Sequence, residues 1–411
     1  MSHSVGQRLR TSLVLTILRS GVAFVTGLLI ARALGPGPFG TMVFLTGTAT
    51  AYRQLSDLGT STAFFTFHSQ RERSRRFNNT YLWWLFAQFG VAIVAVLWLL
   101  PDRLAEQLWR SEPRTLVGLA FLAVFSQMVL WATFSQMAEA KRLTQRAQVT
   151  AGFAVLAHLV VVAVAWQTGR ISIELVLVAT AIEWSVATLW LSKWLRYPAA
   201  APGEDAPGGL LREFANFCAP LVPYAAIGSL YEFADRWLLQ TYGGTVHQGY
   251  YAAALQFGAI GALANAAVTN IFWKEVAEAY FQGDIAAVGR LHRQISRGLF
   301  FVAAGISGFL MPWSAELVAV TLGPEYRDGV TTFAIMLLYP VYQALGQVNG
   351  TTAFATQSLP IYAAIGSIGM VLGVAVTYVA LAPASALIPG FGLASVGLAL
   401  RWSESKPSWS T

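Results

Sequence analysis

The chain has 411 residues, 55% of them hydrophobic and only 11% charged, with 27 Lys and Arg against 20 Asp and Glu for a net charge of +7. Soluble domains carry about 25% charged residues, so a water-soluble enzyme with an ordinary charged surface is excluded, and the apolar content excludes intrinsic disorder. The one cysteine, Cys218, excludes an internal disulfide framework, CxxC redox chemistry and a cysteine-based zinc cluster.

Apolar blocks of about 20 residues, the length that crosses a bilayer as a helix, follow one another at 11–33, 41–64, 80–100, 114–138, 148–168 and 172–195. Further blocks lie at 216–240, 248–272, 298–321, 331–355 and 360–382, with a shorter one at 386–400. They lack the alternation of an outer-membrane barrel, and a helix satisfies its own backbone in lipid. The first block exceeds a signal-peptide core and ends in Arg32 and Gly35, so it reads as a retained span. The expected fold is an all-α polytopic membrane protein of about twelve transmembrane helices, the last short or incomplete.

Between the sixth and seventh blocks, Tyr197 to Gly209 (YPAAAPGEDAPGG) holds three prolines, three glycines and no apolar period, the composition of a linker. It divides the chain into a six-helix half over 1–196, a linker over 197–215 and a second half over 216–411 with an amphipathic connector at 273–297. The halves echo one another: Gly35 and Gly40 open the second span as Gly244 and Gly249 open the eighth. Duplicated bundles with a site between the repeats are a transporter plan, though glycine-rich turns between spans are also ordinary.

With the N-terminus placed in the cytoplasm, sixteen Lys and Arg fall in inside segments, among them Arg71, Arg73, Arg75, Arg76, Lys141 and Arg146. Six fall outside: Arg32, Arg103, Arg110, Arg114, Arg170 and Arg327. This is the positive-inside asymmetry, and it accounts for the net charge without a nucleic-acid partner. Trp83, Trp84, Trp98, Trp194 and Trp273 fall at block ends, as interfacial anchors do. Arg290, Arg293 and Arg297 recur at helical spacing and suit docking on anionic headgroups.

Four stretches carry a family resemblance. ARALGPGPFG (Ala31–Gly40) leads to LSDLGTSTA (Leu55–Ala63), and APLVPYAAIGSLYEFADRWLLQTYGG (Ala219–Gly244) to GYYAAALQF (Gly249–Phe257). WKEVAEAYFQGDIAAVGRLHRQ (Trp273–Gln294) and TLGPEYRDGVTTFAIML (Thr321–Leu337) follow in order. Together they resemble the bacterial oligosaccharide flippases of polysaccharide biosynthesis (O-antigen type), within the MATE-like superfamily. The resemblance implies two six-helix lobes around a central cavity that opens alternately to either face of the bacterial inner membrane. It implies transport of an undecaprenyl-pyrophosphate-linked oligosaccharide for O-antigen, capsule or exopolysaccharide export, coupled to an H+ or Na+ gradient. The implied partners are that lipid-linked oligosaccharide, membrane lipids and the polysaccharide polymerase or ligase machinery; no cofactor, metal or catalytic residue is implied. The family's complete last helix is not matched, because GFGLASVGLAL (Gly390–Leu400) runs straight into RWSESKPSWST.

Ionisable groups in spans cost about 2.5–3.5 kcal/mol each on insertion scales, so each needs a reason. Arg53 and Asp57, at i and i+4, share a helix face. They either line the substrate cavity, with Arg53 meeting the pyrophosphate, or neutralise each other so that the helix inserts. Arg19 lines the cavity or snorkels to the interface. His158 and Glu183 lie at similar depth on neighbouring helices, as a pair that couples proton movement or as two separately satisfied groups. Glu232 and Arg236 form another i,i+4 pair. The resemblance makes Asp235 a candidate cation site or interlobe contact, the alternative being a solvated helix end. Pro220, Pro223, Pro312 and Pro340 fall within expected spans, and Pro220 and Pro223 are candidate hinges.

The alternative functions are a small-molecule or drug exporter of the same superfamily, which Arg19 and Arg53 disfavour for cationic cargo, and a polytopic glycan polymerase or glycosyltransferase. The latter needs a catalytic outside loop, and the longest here, Pro101–Pro113, is short. There is also no GxxxxGK[ST] and no HExxH motif.

Overall fold

Long apolar runs close their own backbone hydrogen bonds in hydrocarbon, and in the computed structural model of the chain every regular element among the described residues is a helix. The structure describes residues 2–198, 207–356 and 358–402; of the linker expected over 197–215, residues 199–206 lie outside the described residues, as does the tail from 403 onward, while 207–215 is helical rather than open chain. Eight helical runs among them are long and apolar enough to cross a membrane, which makes this a multi-pass membrane protein. Residues group into two units: Met1–Leu34 with Phe44–Leu230, and Gly35–Val43 with Tyr231–Thr411.

In the first unit, α1 (Ser2–Leu34) packs along α8 (Thr144–Gln167), which in turn packs on α9 (Ile173–Ser192). Alanines at 138, 147, 151, 154 and 187 let these helices approach closely around Trp131 and Trp184, the small-residue packing typical of membrane interiors. The second expected span is two helices, α2 (Pro36–Asp57) and α3 (Thr60–Gln70), broken by a left-handed turn at Leu58 (φ 48°) and Gly59 (φ 84°). Next come α4 (Arg75–Val94), α5 (Asp102–Trp109), α6 (Arg114–Val124) and α7 (Ala132–Ala140). The runs α4 and α6–α7 carry π-helical segments at Ala95–Leu99 and Phe125–Trp131, wide turns that often mark functional sites in otherwise regular helices. After the linker, α10 (Pro207–Cys218) returns onto this unit through Leu210, Phe214 and Phe217.

The seventh span begins later than its expected start at 216. The chain breaks over Ala219–Leu221, and α11 (Val222–Phe281) runs through what reads as two spans, with one non-helical residue, Gly244 (φ 76°). The expected hinge prolines explain the break. Pro220 lies in it and Pro223 in the first turn of α11, where a missing N–H costs nothing. Pro312 and Pro340 likewise fall in a 3₁₀ turn and at the start of α15, so none of the four interrupts a helix interior. The connector at 273–297 is the end of α11, a turn at Gly283, and the start of α12 (Ile285–Leu310), which Asp284 caps by accepting from the Ala287 N–H at 2.8 Å. Then follow α13 (Ser314–Thr321), α14 (Val330–Met336), α15 (Tyr339–Ala355), α16 (Leu359–Leu381) and α17 (Ala394–Trp402). Among the described residues the last expected span forms a nine-residue helix, preceded by irregular chain over 382–393. It packs on α14 and α16. Trp83 (75% exposed) and Trp98 (71%) face outward, as lipid anchors do.

The glycine echo is a contact. A Cβ on Gly40 would come within 1.8 Å of the Thr245 carbonyl oxygen, and one on Gly249 within 2.0 Å of the Pro36 carbonyl oxygen. The start of α2 therefore lies backbone to backbone against α11, an approach open only to glycine. Since backbone must move to admit a methyl, Gly249→Ala is expected to destabilise the protein by about 1–3 kcal/mol. Gly21→Ala, with open space around it, should leave thermal unfolding of the purified protein unchanged.

Candidate functional site

A pocket in the first unit is walled by α2, α3, α4 and the π-helical segment between α6 and α7, and it counts about 600 Å³ of non-protein space including its open mouth. Arg53 and Asp57 both line it, with Tyr52, Ser56, Ser61 and Gln88. Two hydrogen bonds hold α2 to α4 beneath them: Tyr52 Oη donates to the Gln88 carbonyl (3.0 Å) and Gln88 Nε2 to the Ser56 carbonyl (2.7 Å).

Arg53 and Asp57 share a face but form no ion pair. Asp57 turns forward instead: Oδ1 accepts from the Ser61 N–H (2.9 Å) and Thr60 Oγ1 (3.1 Å), and Oδ2 from Ser61 Oγ (2.8 Å). The carboxylate therefore caps α3, where orphan N–H groups and the positive helix end favour an anion. Arg53 is left in the pocket with no ion pair or side-chain hydrogen bond among the described residues. An unpartnered guanidinium beside hydroxyls and amides is a receptor for phosphate or carboxylate oxygens.

The other expected residues lie elsewhere. Arg19, half-buried on α1, is not among the residues lining this pocket; it interacts electrostatically with Glu139 on α7 without closing an ion pair. His158 and Glu183 do meet: Nδ1 lies 2.7 Å from Glu183 Oε2, bridging α8 and α9 with side chains 17% and 11% exposed. Glu183 Oε1 is buried with no hydrogen-bond partner. On α11, Glu232 and Arg236 form no ion pair with each other, and both are half-buried. Asp235, buried on another face of that helix, pairs with Arg401 on α17.

Two buried, paired arginines escaped sequence reasoning. Arg401 reads as the start of a tail after the last span. Its signal was indirect: Asp235 has no base at i±3 or i±4, so a buried acid there requires a distant cation. Arg73 reads only as a topology marker, yet it is 2% exposed and grips Glu213 of α10 with both guanidinium nitrogens (3.1 and 2.5 Å). Its guanidinium also lies 4.6 Å above the Phe77 ring, and Phe67 stacks edge-on against Phe214 and Phe217. This cluster fastens α10 to the loop between α3 and α4. Nearby, burial pushes the Tyr197 hydroxyl well above the ordinary tyrosine range.

The family signature described as polysaccharide biosynthesis protein matches residues 9–271, well over half of the chain. The chain belongs to that family. No curated protein matches it in sequence. Among solved structures, this polysaccharide biosynthesis protein is similar to the lipid II flippase MurJ in an inward closed conformation (12% identity, TM-score 0.69), covering 95% of this chain and 84% of that one. It is also similar to a multidrug resistance MATE family transporter of the MOP superfamily in an inward-facing conformation (13%, 0.63, covering 95% and 91%). A MOP superfamily transporter from Pyrococcus furiosus matches at 13% identity and TM-score 0.57, covering 96% and 90%. At such identities the likeness establishes the fold: the all-helical architecture is that of MATE and MurJ transporters.

Within this polysaccharide biosynthesis protein, Arg73→Ala should cost about 2–4 kcal/mol, because it strips a buried pair and its ring contacts. Asp102→Ala, whose partner Arg114 loses a carboxylate that is 90% exposed, should cost less than about 1 kcal/mol. Chemical or thermal unfolding of the two variants side by side measures the difference.

Proposed function

We propose that this protein moves an undecaprenyl-pyrophosphate-linked oligosaccharide across the bacterial inner membrane for O-antigen, capsule or exopolysaccharide export, by alternating access and with its N-terminus in the cytoplasm. The observation that carries the reading is Arg53, a cation with no ion pair among the described residues, in a largely apolar pocket of a membrane protein. A pyrophosphate and sugars cannot enter hydrocarbon unaided, since each unpaired polar group costs several kcal/mol there. A fixed guanidinium in a wet pocket lowers that barrier, while the polyprenyl tail stays in lipid. The family's description supports a glycan cargo, and the fold shared with a lipid II flippase supports a lipid-linked one. An exporter of cationic drugs fits less well, because Arg53 would repel its cargo.

The His158–Glu183 pair is the coupling element in this reading. It is a hydrogen-bonded acid and imidazole away from the Arg53 pocket, with one carboxylate oxygen unsatisfied.

Deletion of the gene is expected to leave complete lipid-linked units on the cytoplasmic leaflet; loss of polymer length with normal flipping would point to a polymerase instead. In a complemented strain, Arg53→Ala should lower export at least about 10-fold, the worth of one charge-assisted contact, with Arg53→Lys retaining part of it. Normal export by Arg53→Ala would sink the anion pocket. Glu183→Gln should abolish the response of export to an imposed proton gradient, and an unaltered response would exclude the pair from coupling.

A further inference from the structure

Asp235 is a deeply buried acid, 3% exposed, and it faces a cation from the far end of the chain. Arg401, 7% exposed, donates through Nη1 to Asp235 Oδ1 and Thr377 Oγ1, and through Nη2 to Tyr231 Oη. Thr377 Oγ1 itself lies 3.0 Å from Asp235 Oδ1. The guanidinium also lies 4.6 Å from the Tyr231 ring centroid. Room for it depends on Gly373, where a Cβ would come within 2.8 Å of Arg401 Nη2. At its other end α17 is held through Ser395 Oγ, which meets His247 Nδ1 (2.9 Å) and Thr332 Oγ1 (2.8 Å).

The oxygens that the guanidinium engages are one carboxylate and two hydroxyls, converging from α11 and α16. Hard oxygen donors of this kind suit a hard cation, and their single negative charge matches a monovalent one. We propose that Arg401 is a tethered counter-ion: α17 inserts a covalently attached cation into an oxygen cluster that would otherwise bind a free monovalent cation. Docking of α17 thus does permanently what ion binding would do reversibly, and the second unit is indifferent to the surrounding alkali cation. The inference stands on this cluster alone and does not depend on the cargo.

The test is thermal unfolding of the purified full chain in neutral-lipid nanodiscs at constant ionic strength, in sodium, potassium or choline chloride, with and without low-millimolar guanidinium. The wild type is expected to unfold at one temperature in all of them. Arg401→Ala should unfold several degrees lower in choline and recover with the logarithm of added sodium or guanidinium, as linkage to a binding site requires. The paired variant Asp235→Asn/Arg401→Met, with both charges removed, should unfold near the wild type and ignore the cation. An Arg401→Ala protein that ignores every cation overturns the proposal, as does a wild-type sodium response that Asp235→Asn abolishes. If Arg401→Ala cannot be purified, the paired variant decides: its recovery as folded protein supports the tethered charge, and its loss overturns it.

Discussion

A charge inside a membrane protein must touch an opposite charge, be capped by hydrogen-bond donors or stay wet, since the insertion cost of several kcal/mol returns wherever none of these holds. The ionisable groups of this chain divide along those lines. Asp235 touches Arg401, Glu183 touches His158, and Asp57 is capped by the start of α3. Arg53 alone of the expected pocket residues lines the pocket without a partner among the described residues.

The same economy shapes the helices. Among the described residues, proline and left-handed glycine sit in first helical turns or at breaks in the helices, such as Pro220 between α10 and α11, Gly59 between α2 and α3 and Gly244 at the kink in α11. In hydrocarbon a freed carbonyl has no water to turn to, so breaks are favoured where side chains or neighbouring helices meet the loose ends. The close backbone contact of Gly40 and Gly249 follows the complementary rule. Lipid tails are as apolar as leucine, so helices gain from association chiefly by approaching closely, and a missing side chain permits that.

These rules explain what could be read from the chain and what could not. The helical class was legible because apolar block length reports the bilayer whatever the tertiary contacts. The Arg53–Asp57 spacing established a shared face, and both residues line one pocket. It could not say which way Asp57 would turn. Asp235 and Arg401 lie 166 positions apart, and no periodicity encodes which distant residues meet. Arg73 was hidden for another reason: a count of loop charges weighs every basic residue equally, and burial beneath α10 singles this one out.

The direction Asp57 takes is set by two residues that carry no charge. Leu58 and Gly59 have positive φ, a conformation glycine adopts without strain and a branched-chain residue does not. Their turn brings the first N–H groups of α3 back over the end of α2. Had the helix simply continued, Asp57 would have retained only its i−4 neighbour, and the two side chains would have neutralised each other on the α2 surface. By supplying the carboxylate with three donors from the next helix, the turn removes Arg53's local partner while leaving Arg53 in place. The openness of the guanidinium is therefore a consequence of backbone geometry five and six residues away, at the Leu58–Gly59 turn.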